Sequence, residues 1–252
     1  MKTIISNKMF TVSFLCVSLL VSNLQAKDTV KDALLEAQKI RTISQDIAKN
    51  YFYIEQGIQA SSAKLGFKND MLSLNDILGK LKKNSKNPEV ESIVEFMSMS
   101  VEELTDLAKE DYSAENGGMV LDYTETLLEG SENIINTDKS KIESALDMVE
   151  EMEFLLERAS KYYIAFRAGY TDASNILQAQ KAVKQFDVLL KRLQKYNYPD
   201  EIKNGPLKKL LKYWPVSKDF YLGLKKSDLP TIVFISTKHM KSALDKIAKY
   251  NQ

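Results

Sequence analysis

Two stretches of the chain place residues alternately three and four positions apart: Ala37, Ile40, Ser44, Ile47, Tyr51, Ile54 and Ile58, and again Val149, Met152, Leu156, Ala159, Tyr163, Phe166 and Tyr170. Positions spaced this way share one face of an α-helix, and a mostly apolar stripe must be covered by neighbouring helices. Each such side chain contributes roughly 1.5–3 kcal/mol when buried. Read the same way, the chain predicts helices near 30–60, 68–84, 89–110 and 117–135, then near 139–172, 175–196, 203–225 and 230–249. Pro88, Gly117-Gly118, Asn197-Tyr198-Pro199, Asn204-Gly205-Pro206 and Pro230 mark the breaks. Asn136-Thr137-Asp138 offers side-chain oxygens to cap the fifth helix. That junction has no Gly or Pro, so a nearly continuous helix across it is the other reading.

The two sets of four helices overlie one another at a constant offset of 112 residues. Ala48–Ile58 falls on Ser160–Tyr170, Leu74–Leu78 on Phe186–Leu190, Glu89-Val90 on Glu201-Ile202, and Met119–Leu121 on Thr231–Val233. One offset shared by four blocks favours an internal duplication. The expected fold is all-α: two tandem antiparallel four-helix bundles, 27–136 and 137–252, after a signal peptide, 1–26.

The N-terminal segment carries Lys2 and Lys8, an uncharged run Met9–Val21, and then Ser22-Asn23-Leu24-Gln25-Ala26. This is the pattern of a cleaved secretory signal ending at Ala26, and the run is short for a membrane span of roughly 20 residues. An uncleaved anchor is the competing reading. Without this segment, 33 basic residues face 34 acidic ones and Cys16, the only cysteine, is gone. The expectation is a periplasmic protein that forms no disulfide and has no electrostatic reason to bind nucleic acid.

The repeats differ most at one place. Ser44 sits in the stripe where the second repeat has Leu156, Arg41 corresponds to Glu153, and Gln45 to Glu157. Arg41 is one of only four arginines among 35 basic residues. With Gln45 and the small Ala48, positions 41 and 44 lie on one helix face and present a guanidinium, a hydroxyl and an amide. A guanidinium can grip a planar oxyanion with two parallel hydrogen bonds. The structural alternative is that Arg41 pairs with a carboxylate and Ser44 bonds to its own backbone.

The stretch Ala37–Tyr51 (AQKIRTISQDIAKNY) resembles the opening motif of PilJ-type sensor domains, approximately Ala-Gly-Arg-Gln-Arg-Met-Leu-Ser-Gln-Arg-x-Ala-Lys-x-Tyr. Ala37, Arg41, Ser44, Gln45, Ala48, Lys49 and Tyr51 match; Lys39 stands for Arg, Gln38 for Gly and Asp46 for a second Arg. Those domains are helical extracytoplasmic modules of type IV pilus chemotaxis transducers, related to the sensing domains of nitrate/nitrite sensor kinases. The resemblance implies a small-anion site between subunits, and with it a homodimer, and carries the anion-binding role to Arg41; Ser44, Gln45, Ala48 and Lys49 complete the expected ligand-binding set. Trp214, Phe220 and Lys161-Tyr162-Tyr163 carry the likeness in the second repeat.

Enzymatic chemistry finds little support. His239 has no zinc-type ligand pattern around it, Asp111–Gly117 departs from a calcium loop, and Gly117-Gly118 lacks the strand and Lys-Ser/Thr of a phosphate cradle. No metal or cofactor is expected. Two functions stay open: an exported sensory protein that binds a small anion at Arg41, or an adaptor that docks on a membrane-bound transducer or pilus protein without a small ligand. With neither a span nor a signalling domain after the repeats, either would act by handing over to a partner. They separate on Arg41: if it and Ser44 face a solvent-reachable crevice free of Asp and Glu, the ligand is favoured, and if Arg41 already contacts a carboxylate on the outside, the adaptor is favoured.

Overall fold

The computed structural model describes residues 8–85, 87–136, 144–224 and 229–252, with side chains from Asp32 onward. Residues 1–7 lie outside these, as do all side chains of the expected signal segment, 1–26, and residues 137 and 138 of the expected cap. Among the described residues every regular element is helical. They are α1 Lys8–Glu55, α2 Ala60–Asn84, α3 Pro88–Leu107, α4 Ala114–Asn136, α5 Ala145–Arg167, α6 Ala173–Leu193, a single turn α7 Asp200–Ile202, a π-turn Lys203–Leu207, α8 Lys208–Leu222 and α9 Pro230–Asn251. None of them, among the described residues, is long and apolar enough to cross a membrane.

Helix ends recur at the sequence offset. Gly57 and Gly169, 112 apart, both adopt positive φ, +67° and +105°. The amide of Ile58 reaches back to the Tyr53 carbonyl at 3.0 Å, and that of Tyr170 to the Ala165 carbonyl at 3.0 Å. The glycine amides donate to Ile54 and Phe166. This is the glycine-dependent C-cap that only a left-handed residue allows, and it closes α1 and α5 identically. It also places α2 eight residues earlier than the sequence pattern indicates, because the chain turns at residues 56–59 and not beyond residue 60.

The fifth helix starts later than expected, at Ala145. Ser144 accepts from the Asp147 amide while the Asp147 side chain accepts from the Ser144 amide, a reciprocal capping box. Gly117 and Gly118, expected to break the chain, lie inside α4. Their role is close approach: a Cβ on Gly117 would sit 2.2 Å from the Tyr170 hydroxyl. That hydroxyl donates to the Ala114 carbonyl at 2.5 Å and pins the end of α5 to the start of α4.

α1 packs against α2 and α4, with α3 closing between them; α5 packs against α6 and α9, with α8 closing between those. α1 also lies along α5. Arg41 pairs with Glu151 and Lys49 with Glu157, so residue numbers rise together and the two helices run parallel. The apolar side chains of both rings form one continuous core. α1 meets α2, α4 and α5, and α5 meets α1, α6, α8 and α9, which buries more than a stripe: residues 44–53 of α1 and 154–165 of α5 are buried on every face.

Candidate functional site between the first and fifth helices

A helix buried all round cannot send its polar side chains to water, so they must find partners inside. Along α1 these are Ser44, Gln45, Asp46, Lys49 and Asn50; along α5 they are Glu157, Arg158, Ser160 and Lys161. The expected site residues all fall on this seam, and four of the five are buried: Ser44, Gln45 and Ala48 completely, Lys49 to 8% exposure.

Arg41 sits at its edge. Its Nη1 donates to the Glu151 carboxylate of α5 at 2.8 Å, and its Nη2 lies 3.5 Å from Glu132 of α4. The guanidinium stacks over the Phe154 ring, 4.1 Å from its centre. A cleft of about 460 Å³ opens beside it, and Glu132, Asp147, Glu150 and Glu151 all line it. Glu151, with Glu132 close by, already supplies the carboxylate that the guanidinium prefers. Ser44 Oγ donates to the Arg41 carbonyl at 2.8 Å, within its own helix, and accepts from Gln45 Nε2 at 3.0 Å. Arg41 and Ser44 thus take the structural alternative named above.

The seam holds two charge clusters. In one, Lys49 contacts Asp46 on its own helix and Glu157 at 2.5 Å across the interface. Lys241 of α9 reaches Asp46 at 2.5 Å and Glu153 at 3.5 Å. Burial alone would neutralise Asp46, but the Lys241 and Lys49 ammoniums outweigh it and hold the carboxyl well below its usual range. Burial likewise opposes the charge on Lys49, and Asp46 and Glu157 more than restore it. Glu157 keeps a raised value, from burial first and the Asp46 charge next. Glu153 is pushed up to about 7, chiefly by burial.

In the second cluster Arg158 forks both Nη atoms onto Glu125 of α4 at 3.0 Å and donates to Gln45 Oε1 at 3.1 Å. Lys161, fully buried, contacts the same Glu125 carboxylate. Burial lowers Lys161 to about 8, with Glu125 opposing the drop. Glu125 is held down to about 2, its burial overcome by Lys161 and Arg158.

Several members of the two clusters correspond at the repeat offset, and two of these positions exchange sign. Asp46 corresponds to Arg158, Gln45 to Glu157 and Arg41 to Glu153, while Lys49 and Lys161 correspond and both stay buried.

Beyond the first cluster a cleft of about 290 Å³ runs between α1, α2, α5 and α9, with Asp70 on one wall. Asp70 accepts from Asn50 Nδ2 at 3.0 Å and has no ion pair among the described residues. Burial, reinforced by the Asp46 charge, raises it to about 7. Gly66 makes the contact fit, since a Cβ there would lie 2.7 Å from Asn50 Nδ2.

Sequence reasoning missed Glu125, Lys241 and Asp70 because they come from helices whose pattern reads as ordinary wet faces. Glu157 and Arg158 carried a signal, as charges inside a span flanked by apolar residues on all sides. Trp214, quoted for the family likeness, packs on Phe186 with ring centres 4.0 Å apart and donates Nε1–H to Asp187 at 3.1 Å. His239 is exposed and stacks on Tyr213. No group of three or more His, Cys, Asp or Glu among the described residues could hold a metal ion. Comparison with protein-family models, with curated proteins and with solved structures found no match.

Proposed function

We propose that the protein is a non-enzymatic, exported adaptor: two related helical bundles of PilJ-like type, fixed side by side in one chain, that dock on a membrane-bound transducer or pilus component. The observation that carries this reading is the state of Arg41. Its guanidinium is met by Glu151 from the other half and by Glu132, inside a cleft rimmed with carboxylates. A small anion would have to displace both and enter a negative field.

The PilJ-type likeness places a site between two subunits. In this proposal α1 and α5 stand in for the two subunits, and an internal carboxylate takes the place of the anion. The identical glycine caps of α1 and α5 support descent from one duplicated module. The seam then has a structural duty, which is to hold the halves in a fixed register and present a rigid surface outside it.

The test is cross-linking in the native envelope with identification of the captured protein, run beside a thermal-shift screen of nitrate, nitrite, phosphate and sulfate. The adaptor reading expects a specific envelope partner and no stabilisation by any of the four. Stabilisation by one of them that Arg41→Ala abolishes would restore the anion-sensor reading.

A further inference from the structure

The outermost helices of the two rings carry opposite charge. α3 has six Asp and Glu side chains and no Lys or Arg over its 20 residues. Its counterpart α8 has Lys208, Lys209, Lys212 and Lys218 against Asp219 alone. α3 packs on α2 and α4, and α8 packs on α6 and α9 with a smaller contact on α5, so each leaves a face that its neighbours do not cover.

Both outward faces also expose apolar side chains. Phe96 and Met99, one turn apart on α3, are 61% and 59% exposed. Glu95, Glu102 and Glu103 stand three or four positions from Met99 and so surround this pair on the same face. On α8, Leu211 and Val216 are 37% and 52% exposed, and Lys208 and Lys212 share their face. Lys218 is occupied by Asp187 at 3.1 Å. Glu95, Glu102, Glu103, Lys208, Lys209 and Lys212 have no ion pair among the described residues. An apolar pair ringed by acids on one side, and lysines flanked by apolar residues on the other, have the makings of a docking patch and its complement.

We propose that α8 of one copy docks on α3 of the next, so that the protein self-associates head to tail. The partner is a second copy because this chain itself supplies the complementary charge and the complementary apolar residues. The two surfaces differ, which makes the contact heterologous. It closes into a ring or extends as a filament according to the rotation between copies, and does not form a two-fold dimer. Steering between a fully acidic helix and a lysine face makes association dependent on ionic strength.

Sedimentation velocity of the purified full chain over a range of concentrations and salt tests this. The wild type is expected to associate at low salt and to dissociate as salt rises. Two variants give the decisive arm: Lys208→Glu/Lys212→Glu reverses one face, and Glu95→Lys/Glu103→Lys reverses the other. All four positions are exposed and have no ion pair among the described residues, and circular dichroism checks that each variant folds. Each reversal alone should raise the dissociation constant about tenfold or more, and mixing the two should restore association, because each then offers what the other needs. A wild type that stays monomeric at low salt would overturn the proposal. So would an assembly indifferent to both reversals, or a mixture no more associated than its components.

Discussion

Lys49 of α1 and Glu157 of α5 form a buried ion pair at 2.5 Å across the interface between the two halves. Both side chains are buried; Asp46 and Glu157 keep the Lys49 ammonium charged, while Lys49 and Lys241 favour the Glu157 carboxylate against its burial and the Asp46 charge. Removing Lys49 leaves two buried carboxylates, Asp46 and Glu157, to share Lys241, and breaking a buried pair costs about 3–5 kcal/mol in general. Lys49→Met should therefore destabilise strongly in denaturant unfolding, and Lys49→Met/Glu157→Leu should recover much of the loss. A double variant no better than the single one would show that the pair is not the unit that matters.

Asp70 gives a pH signature. Its folded-state value, about 7, lies above the 3.8 of an unperturbed carboxyl, so the folded state binds the proton more tightly. The penalty for its charge is absent below about pH 3.8, grows as pH rises, and is complete above about pH 7. Asp70→Asn should thus stabilise the protein at pH 8, on the order of 1–2 kcal/mol after allowance for its partial exposure. The gain should fade toward pH 4. Urea unfolding of both proteins at three pH values measures it, and a gain independent of pH would mean that the carboxyl titrates normally.

Gly117 is required by the approach of Tyr170, whose hydroxyl would lie 2.2 Å from an added Cβ. Gly117→Ala should displace that ring and break its bond to the Ala114 carbonyl, costing about 1–3 kcal/mol. Gly118→Ala, with its nearest neighbour at 4.0 Å, should be neutral or slightly stabilising through helix propensity. Equal effects of the two substitutions on the melting temperature would contradict the packing described here.

Leu156 and Ser44 occupy corresponding places and are both fully buried. Leu156→Ser removes apolar volume and inserts a hydroxyl into the core, and should destabilise by roughly 2–5 kcal/mol. Thermal unfolding checks it; a near-neutral result would mean that the seven-residue pattern on α5 does not define its packed face.

The helical class, the 112-residue offset and both apolar stripes were legible from sequence, because periodic burial leaves a periodic pattern. Ala37, Ile40, Ile47 and Tyr51 are buried as the pattern requires, as are Val149, Met152 and Tyr163. The centrality of α1 and α5 was not legible. A stripe predicts one covered face, whereas contact with several neighbours covers the whole middle of each helix and turns nominally surface charges such as Lys49, Glu157 and Lys161 into core residues. The partners that satisfy them come from α4 and α9, 36 residues from Lys161 at Glu125 and 195 residues from Asp46 at Lys241. Such distant pairings leave no local signal. Helix ends were misplaced where one feature decided them, as with the left-handed Gly57 or the capping box at Ser144.

The central claim is that residues 41–49 bind the other half of the chain and not a small anion. Its most direct test is the coupling free energy between Arg41 and Glu151, from denaturant unfolding of wild type, Arg41→Ala, Glu151→Ala and the double variant, with and without nitrate. The account predicts a favourable coupling of about 1 kcal/mol or more that nitrate leaves unchanged. No coupling, together with nitrate stabilising the wild type but not Arg41→Ala, would contradict it.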